Sequence, residues 1–161
     1  MLVRTHPPMT VLFHSYQTTL GELGKYAGTV VKELYQYVVD LDLLVCGPQY
    51  WFYYGVDGRP PAAGGRPPIF GDTRFTLEIA IPVQGKIPTA LLPYFKQIPP
   101  FKCLSNRYQG PWQGLSGEYG EMIRHITDKG LNMNGVYCES YLHVDFAVPE
   151  NNITEIQIGL L

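Results

Sequence analysis

The fold is decided by two stretches that repeat one another, PPMTVLFHSYQTTLGEL over residues 7–23 and PPFKCLSNRYQGPWQGL over residues 99–115. With a shift of 92 residues the two copies share six identities: Pro7, Pro8, Leu12, Tyr16, Gln17 and Leu23. A repeat of about half the chain length is typical of a duplicated structural module. Function is therefore expected where the two copies meet or where they differ.

Hydrophobic periodicity predicts the same order of elements in each copy. Apolar residues at helical spacing predict helices over about 20–41 and 112–129. Short β-branched and aromatic runs predict strands over 9–17, 49–54, 74–83, 101–109, 136–144 and 153–161. Thr19 and Glu22 match a capping box at the start of the first helix. Each copy therefore has the pattern strand-helix-strand-strand.

This pattern predicts an α+β fold. Two tandem strand-helix-strand-strand modules form one antiparallel sheet, with two long helices on one face and a ligand groove on the other. The chain of 161 residues suits a single domain. We expect module 1 over 1–84, a linker over 85–93 and module 2 over 94–161. Segment 57–72 carries four Pro and four Gly, which predicts a long hairpin loop.

Composition excludes several classes of function. Net charge is -2 and only 16% of residues are charged, so no basic surface for direct nucleic-acid binding is expected. No apolar stretch approaches the ~20 residues that cross a membrane, which favours a cytoplasmic protein. Cys46, Cys103 and Cys138 lack metal-ligand spacing, so neither a metal nor another cofactor is expected. The 12 tyrosines favour a binding cleft, although they could instead cover the solvent edges of a sheet.

The strand over 136–144 contains the main candidate residue. Alternation places Tyr137, Glu139 and Tyr141 on one sheet face, which we assign to the open side, with the intervening residues beneath a helix. The equivalent positions in the first copy hold Trp51 and Tyr53. A carboxylate among aromatic rings loses hydration, and a cationic aromatic ligand could compensate for that loss. Alternatively, Glu139 is a solvated strand residue that makes cross-strand pairs.

Four further residues are candidates of second rank for the same groove. They share one parity on the first strands of the two modules, and they are His14, Tyr16, Asn106 and Tyr108.

Three segments resemble a known family: NRYQGPW at 106–112, GVYCESYL at 135–142 and TEIQI at 154–158. They look like the GyrI-like small-molecule-binding domain, which is the effector-binding domain of certain bacterial multidrug-responsive transcription activators. The likeness spans nearly the whole chain. In that family a Glu at the position of Glu139 contacts cationic drugs within an aromatic pocket. The resemblance thus implies the tandem-module fold, with the ligand site in the groove between modules.

Three functions follow from this resemblance and from the residues. The first is a stand-alone binding module for amphipathic, often cationic, aromatic small molecules, acting as a sensor or a sequestering protein. The second is a hydrolase that opens strained electrophilic rings of the cyclopropane type, with Glu139 as general base and Tyr141 or Tyr137 as hydrogen-bond donor. The third is an inhibitor that docks on another protein through Ile69 and Phe70.

Overall fold

The computed structural model describes residues 1–55 and 74–161. The predicted loop over 57–72, with Ile69 and Phe70, lies outside the described residues. Within these residues the α-helices are α1 (Gly24–Asp40) and α2 (Leu115–Asp128). The strands are β1 (Leu2–His6), β2 (Met9–Thr18), β3 (Leu44–Val45), β4 (Gln49–Tyr54), β5 (Phe75–Gln84), β6 (Phe95–Ile98), β7 (Phe101–Gln109), β8 (Met133–His143) and β9 (Ile153–Leu160).

The strands form one antiparallel sheet, which confirms the predicted α+β fold. The order of the strands is β1-β7-β9-β8-β4-β5-β2-β6, and β3 pairs with the end of β5. Both helices pack on the same face of this sheet. Leu34 of α1 and Met122 of α2 belong to one buried cluster with Ile79 of β5 and Ile156 of β9. Within the described residues, no helix is both long and apolar enough to cross a bilayer.

Strand register shows the internal repeat as a pseudo-twofold arrangement. The axis passes between β4 and β8, where Trp51 pairs with Glu139. On one side of this pair Leu12 lies opposite Ile81, and on the other side Leu104 lies opposite Ile158. Residues related by the sequence repeat thus occupy equivalent places in the sheet. The copies differ at the axis itself, where one supplies an indole and the other a carboxylate.

Strands β1, β3 and β6 were missed by the sequence analysis because they are only two to five residues long. The pairing of β1 and β6 is non-local, since β1 adds to β7 and β6 adds to β2. Strand β1 of the first copy therefore pairs with a strand of the second copy, and β6 of the second copy pairs with a strand of the first. Two ion pairs also join the copies, since Arg4 contacts Glu155 and Lys96 contacts Glu78. The module boundaries themselves remain a prediction.

The sheet curls strongly toward the face away from the helices. Only Pro7 and Pro8 separate β1 from β2, yet six strand spacings, or ~29 Å in a flat sheet, lie between these strands. Three residue steps span at most ~11 Å. The curl brings His6 Nε2 to 3.1 Å from the hydroxyl of Tyr50. Inside it lies a second apolar cluster, which contains Val11, Tyr50, Phe52, Ala80, Ile98 and Cys138.

The predicted capping box at the first helix is wrong. The side chain of Thr19 makes no capping bond, and α1 begins at Gly24 after a 3-10 turn over Leu20–Glu22. The carboxylate of Glu22 instead accepts a bond from Thr18 Oγ1 and pairs with Lys25. A 3-10 turn changes the spacing that a capping box requires, so the motif had no α-helical N-terminus to cap.

Candidate functional site

Glu139 lies at the centre of the sheet and is buried. It is the seventh of the 11 residues of β8, with 6% of its surface exposed. Its carboxylate accepts three hydrogen bonds from tyrosine hydroxyls. Oε2 accepts from Tyr53 at 2.9 Å and from Tyr141 at 2.6 Å, while Oε1 accepts from Tyr119 at 2.9 Å. The carboxylate is therefore held in one orientation by neutral donors.

These donors come from three different elements. Tyr53 is on β4, beside the axis, and Tyr141 is two residues beyond Glu139 on β8, so both share its sheet face. Tyr119 reaches down from the second turn of α2. Because Tyr119 is a helix residue, Glu139 must face the helices. Our assignment of Tyr137, Glu139 and Tyr141 to the side away from the helices was therefore wrong.

The reason for this error is visible in the second apolar cluster. Cys138 and Val136, which we placed beneath a helix, instead lie in or against the cluster inside the curl. Both faces of β8 are buried, one by helices and the other by the curled sheet. Parity separates the two faces correctly, but it cannot say which of two buried faces carries the helices.

Burial sets the acidity of this cluster. Loss of hydration raises the pKa of Glu139, and the bonds from Tyr141, Tyr53 and Tyr119 oppose that rise. Burial, with the nearby Glu139 charge as the next cause, raises the pKa of each of these three tyrosines well above its usual range. The hydroxyls therefore stay protonated and act as donors at neutral pH.

Glu139 has no cationic partner within the described part of the chain. The ion pairs of residues 1–55 and 74–161 join Arg4 to Glu155, Lys25 to Glu22 and Lys96 to Glu78. None involves Glu139. Burying a carboxylate away from water without a counter-ion is energetically unfavourable in a folded core. A bound cationic ligand would reduce this unfavourable free energy.

Aromatic rings continue from Glu139 toward the surface. Trp51 meets Tyr141 edge-to-face at 5.5 Å between ring centroids, and Tyr141 meets Trp112 at 5.6 Å. Trp112 in turn contacts Phe146 at 6.0 Å, and Phe146 is 76% exposed. Tyr137, also a candidate, packs its ring against Tyr119 at 6.0 Å. Ring contacts thus link the exposed Phe146, through Trp112, to Tyr141, which donates to the carboxylate of Glu139.

The second-rank candidates lie on the same face but have other contacts. One row across the sheet joins the central pair to two of them, in the order Asn106, Ile156, Glu139, Trp51, Ile79 and His14. Strand spacing puts His14 ~14 Å from Glu139 and Asn106 ~10 Å from it. The amide of Asn106 donates to Glu118 of α2 at 3.0 Å.

Tyrosines 16 and 108 also have partners away from Glu139. The hydroxyl of Tyr16 lies 3.2 Å from Nδ1 of His14, and its ring packs on Tyr26 at 4.7 Å. The hydroxyl of Tyr108 donates to the carbonyl of Pro111 at 3.0 Å, beside Gly114, whose missing side chain leaves room for it. Tyr108 therefore anchors the start of α2 on β7.

Two residues of the site were not predicted as site residues. In the sequence, Tyr119 and Trp112 belong to the apolar positions at helical spacing over 112–129, and Trp112 also ends the NRYQGPW segment. The hydroxyl of Tyr119 within such a stripe was the available signal, because a buried Tyr hydroxyl usually finds a hydrogen-bond partner. The indole nitrogen of Trp112 is buried and has no hydrogen-bond partner among the described residues. Among residues 1–55 and 74–161, no group of three or more His, Cys, Asp or Glu could hold a metal ion.

Comparison with known proteins bears on the fold. Neither a protein-family model nor a curated protein sequence matches the chain. Among solved structures, the C-terminal domain of EcmrR is similar, with 15% identity, a TM-score of 0.74, and coverage of 99% of this chain and 96% of that one. The chain spans only 56% of the longer EcmrR chain in its DNA complex, at 17% identity and a TM-score of 0.71.

Two further structures of this fold carry different descriptions. SAV2435, solved with tetraphenylphosphonium bound, is 16% identical with a TM-score of 0.56, and the match covers 100% of this chain and 94% of that one. A hydrolase encoded by lin2189 from Listeria innocua is 15% identical with a TM-score of 0.64, over 99% of this chain and 91% of that one. The chain thus has the fold of GyrI-like small-molecule-binding domains, as its sequence resemblance implied.

Proposed function

We propose that the protein binds amphipathic, cationic aromatic small molecules, with Glu139 as the anionic contact and the surrounding rings as the apolar surface. In the cell it would act as a sensor or a sequestering protein, in the cytoplasm. The observation that carries this proposal is the buried carboxylate of Glu139, which has three tyrosine donors and no cationic partner among the described residues.

The electrostatics of the site suit a bulky, weakly hydrated cation. Such a cation loses little hydration on entry, and it regains charge–charge attraction to Glu139 and cation–π contacts of roughly 0.5–2 kcal/mol with each favourably placed ring. Trp51, Trp112 and Tyr141 supply aromatic rings near Glu139 for these contacts. A strongly hydrated small cation gains less, because it has no apolar surface to bury against these rings.

The test is a titration with tetraphenylphosphonium, followed by calorimetry. A cation ~8 Å from Glu139, at an effective dielectric constant of ~20, is attracted by ~2 kcal/mol. Glu139→Gln should therefore weaken binding about thirtyfold. The matched control is Glu121→Gln on the exposed side of α2, which removes the same charge and should leave affinity unchanged. Neutral triphenylphosphine oxide should bind the wild type and Glu139→Gln alike. Equal tetraphenylphosphonium affinity in both proteins would reject the role of Glu139.

A second candidate function is hydrolysis of electrophilic strained-ring compounds. The supporting observation is that burial raises the pKa of Glu139, as a general base near neutral pH requires. In this step Glu139 would take a proton from water, the water oxygen would bond to a ring carbon, and the ring C–C bond would break. The electron pair of that bond would move to a conjugated carbonyl oxygen of the substrate. Tyr141, whose hydroxyl lies 2.6 Å from Glu139, would donate a hydrogen bond to this oxygen. Turnover of a cyclopropane substrate should then rise as Glu139 loses its proton and should be absent in Glu139→Gln. Turnover that survives this substitution would exclude Glu139 as the base.

A further inference from the structure

A cavity lies on the helix side of the sheet, between α1 and the segment that links the two modules. Its volume is about 260 Å³. Its walls come from β2, from the C-terminal part of α1, from the 3-10 segment Thr89–Tyr94 and from the start of β6. The lining residues are Leu12, His14, Tyr37, Leu41, Leu91, Tyr94 and Phe95. Three strand spacings, ~14 Å, separate its His14 from Glu139.

The chemistry of this cavity differs from that of the Glu139 site. None of its lining residues is Asp, Glu, Lys or Arg, so it offers no full charge to a cation. Tyr37 and Tyr94, each about half exposed, stand at its surface, while Leu12 is buried at its base. The ring of Tyr94 lies nearly parallel to that of His14, at 6.2 Å and 20°. Flat apolar molecules fit such walls best.

His14 is the lining residue that carries ring nitrogens, beside the tyrosines Tyr37 and Tyr94. One of its ring nitrogens, Nδ1, lies 3.2 Å from the hydroxyl of Tyr16. Nε2 has no hydrogen-bond partner among the described residues. Depending on the tautomer, Nε2 either donates or accepts. A ligand hydroxyl can satisfy both cases, because a hydroxyl is at once a donor and an acceptor.

We propose that this cavity is a second ligand site, specific for small neutral phenols, and that it works independently of Glu139. A dry cavity of about 150 Å³ holds one benzene ring, so 260 Å³ accommodates one or two fused rings. The phenol hydroxyl bonds to Nε2 of His14, and the ring system packs between Leu91 and Tyr37.

The experiment uses the full chain and 2-naphthol as probe, with binding measured by calorimetry and by ligand-observed NMR. Leu91→Trp fills the cavity from the half-buried 3-10 segment and should weaken 2-naphthol binding at least tenfold. Its matched control is Leu92→Trp, the same substitution at the next residue, which is 52% exposed and does not line the cavity. This control should bind within twofold of the wild type, and thermal melting should show both variants folded.

His14→Phe tests the polar contact. It should cost 2-naphthol about fivefold in affinity, the typical worth of one hydrogen bond, and should leave naphthalene binding unchanged. Glu139→Gln should bind 2-naphthol normally, and Leu91→Trp should bind tetraphenylphosphonium normally. These two results separate this proposal from the one on Glu139. Absence of saturable 2-naphthol binding, its displacement by tetraphenylphosphonium, or unchanged affinity in Leu91→Trp would each overturn the second site.

Discussion

Tyr119→Phe removes a single oxygen atom from the site and tests how Glu139 is held. Tyr119 is the hydrogen-bond partner that the described residues provide to Oε1, whereas Oε2 has two, Tyr53 and Tyr141. The substitution keeps the ring and its contact with Tyr137. It therefore leaves one oxygen of a buried carboxylate without a donor, and it changes little else.

The size of the effect follows from this inequality between the two oxygens. A buried hydrogen bond to a charged group contributes about 1.5–3 kcal/mol, and an oxygen left without a partner incurs most of that cost. We expect Tyr119→Phe to lower the free energy of unfolding by about 2 kcal/mol at pH 8. Tyr53→Phe should cost about 1 kcal/mol, because Oε2 keeps its bond from Tyr141. Below the pKa of Glu139 the loss should shrink, because the carboxyl group is then neutral.

Urea denaturation of each variant at two pH values measures these differences. The matched control is Tyr35→Phe on α1, whose hydroxyl has no bond among the described residues and which should change stability by less than about 0.5 kcal/mol. In a Glu139→Gln background the cost of Tyr119→Phe should fall by at least half, as a double-mutant cycle would show. An equal cost for Tyr119→Phe and Tyr35→Phe, or the same cost with and without Glu139, would refute this account of the site.

Two further predictions rest on the same structure. Because the pKa of Glu139 is raised, cation binding measured by calorimetry should be full above that pKa and should be lost as pH falls through it. Without ligand, the wild type should lose stability relative to Glu139→Gln as pH rises from the ordinary pKa of Glu through the raised pKa, and thermal melting measures this loss. Gly114→Ala places a methyl group against the hydroxyl of Tyr108 and should destabilise the protein by about 1–3 kcal/mol, as measured by urea denaturation. The control Gly117→Ala on α2 meets open space and should be neutral or stabilising. Equal effects of the two substitutions would show that Tyr108 does not pack against Gly114.

The sequence by itself determined the helices and the longer strands, because hydrophobic periodicity depends only on residues that are close in the chain. The stripe that includes Val31 and Leu34 predicted α1 to within one residue of its end at Asp40, and the β-branched and aromatic runs predicted β4 and β7 with both ends correct. The repeat also located the counterpart of Glu139 at Trp51, and the structure pairs these two residues across the pseudo-twofold axis. Periodicity and duplication require no knowledge of distant contacts.

Tertiary structure decided what depends on residues far apart in the chain. The exchange of β1 and β6 between copies depends on pairing over about 100 residues, and it makes the sheet curl. The curl buries the face of β8 that we had assigned to a helix, and Glu139 faces α2 instead. Only that packing brings Tyr119 to Glu139, 20 residues away in sequence. Alternation along a strand says which side chains share a face, but long-range packing determines what covers that face.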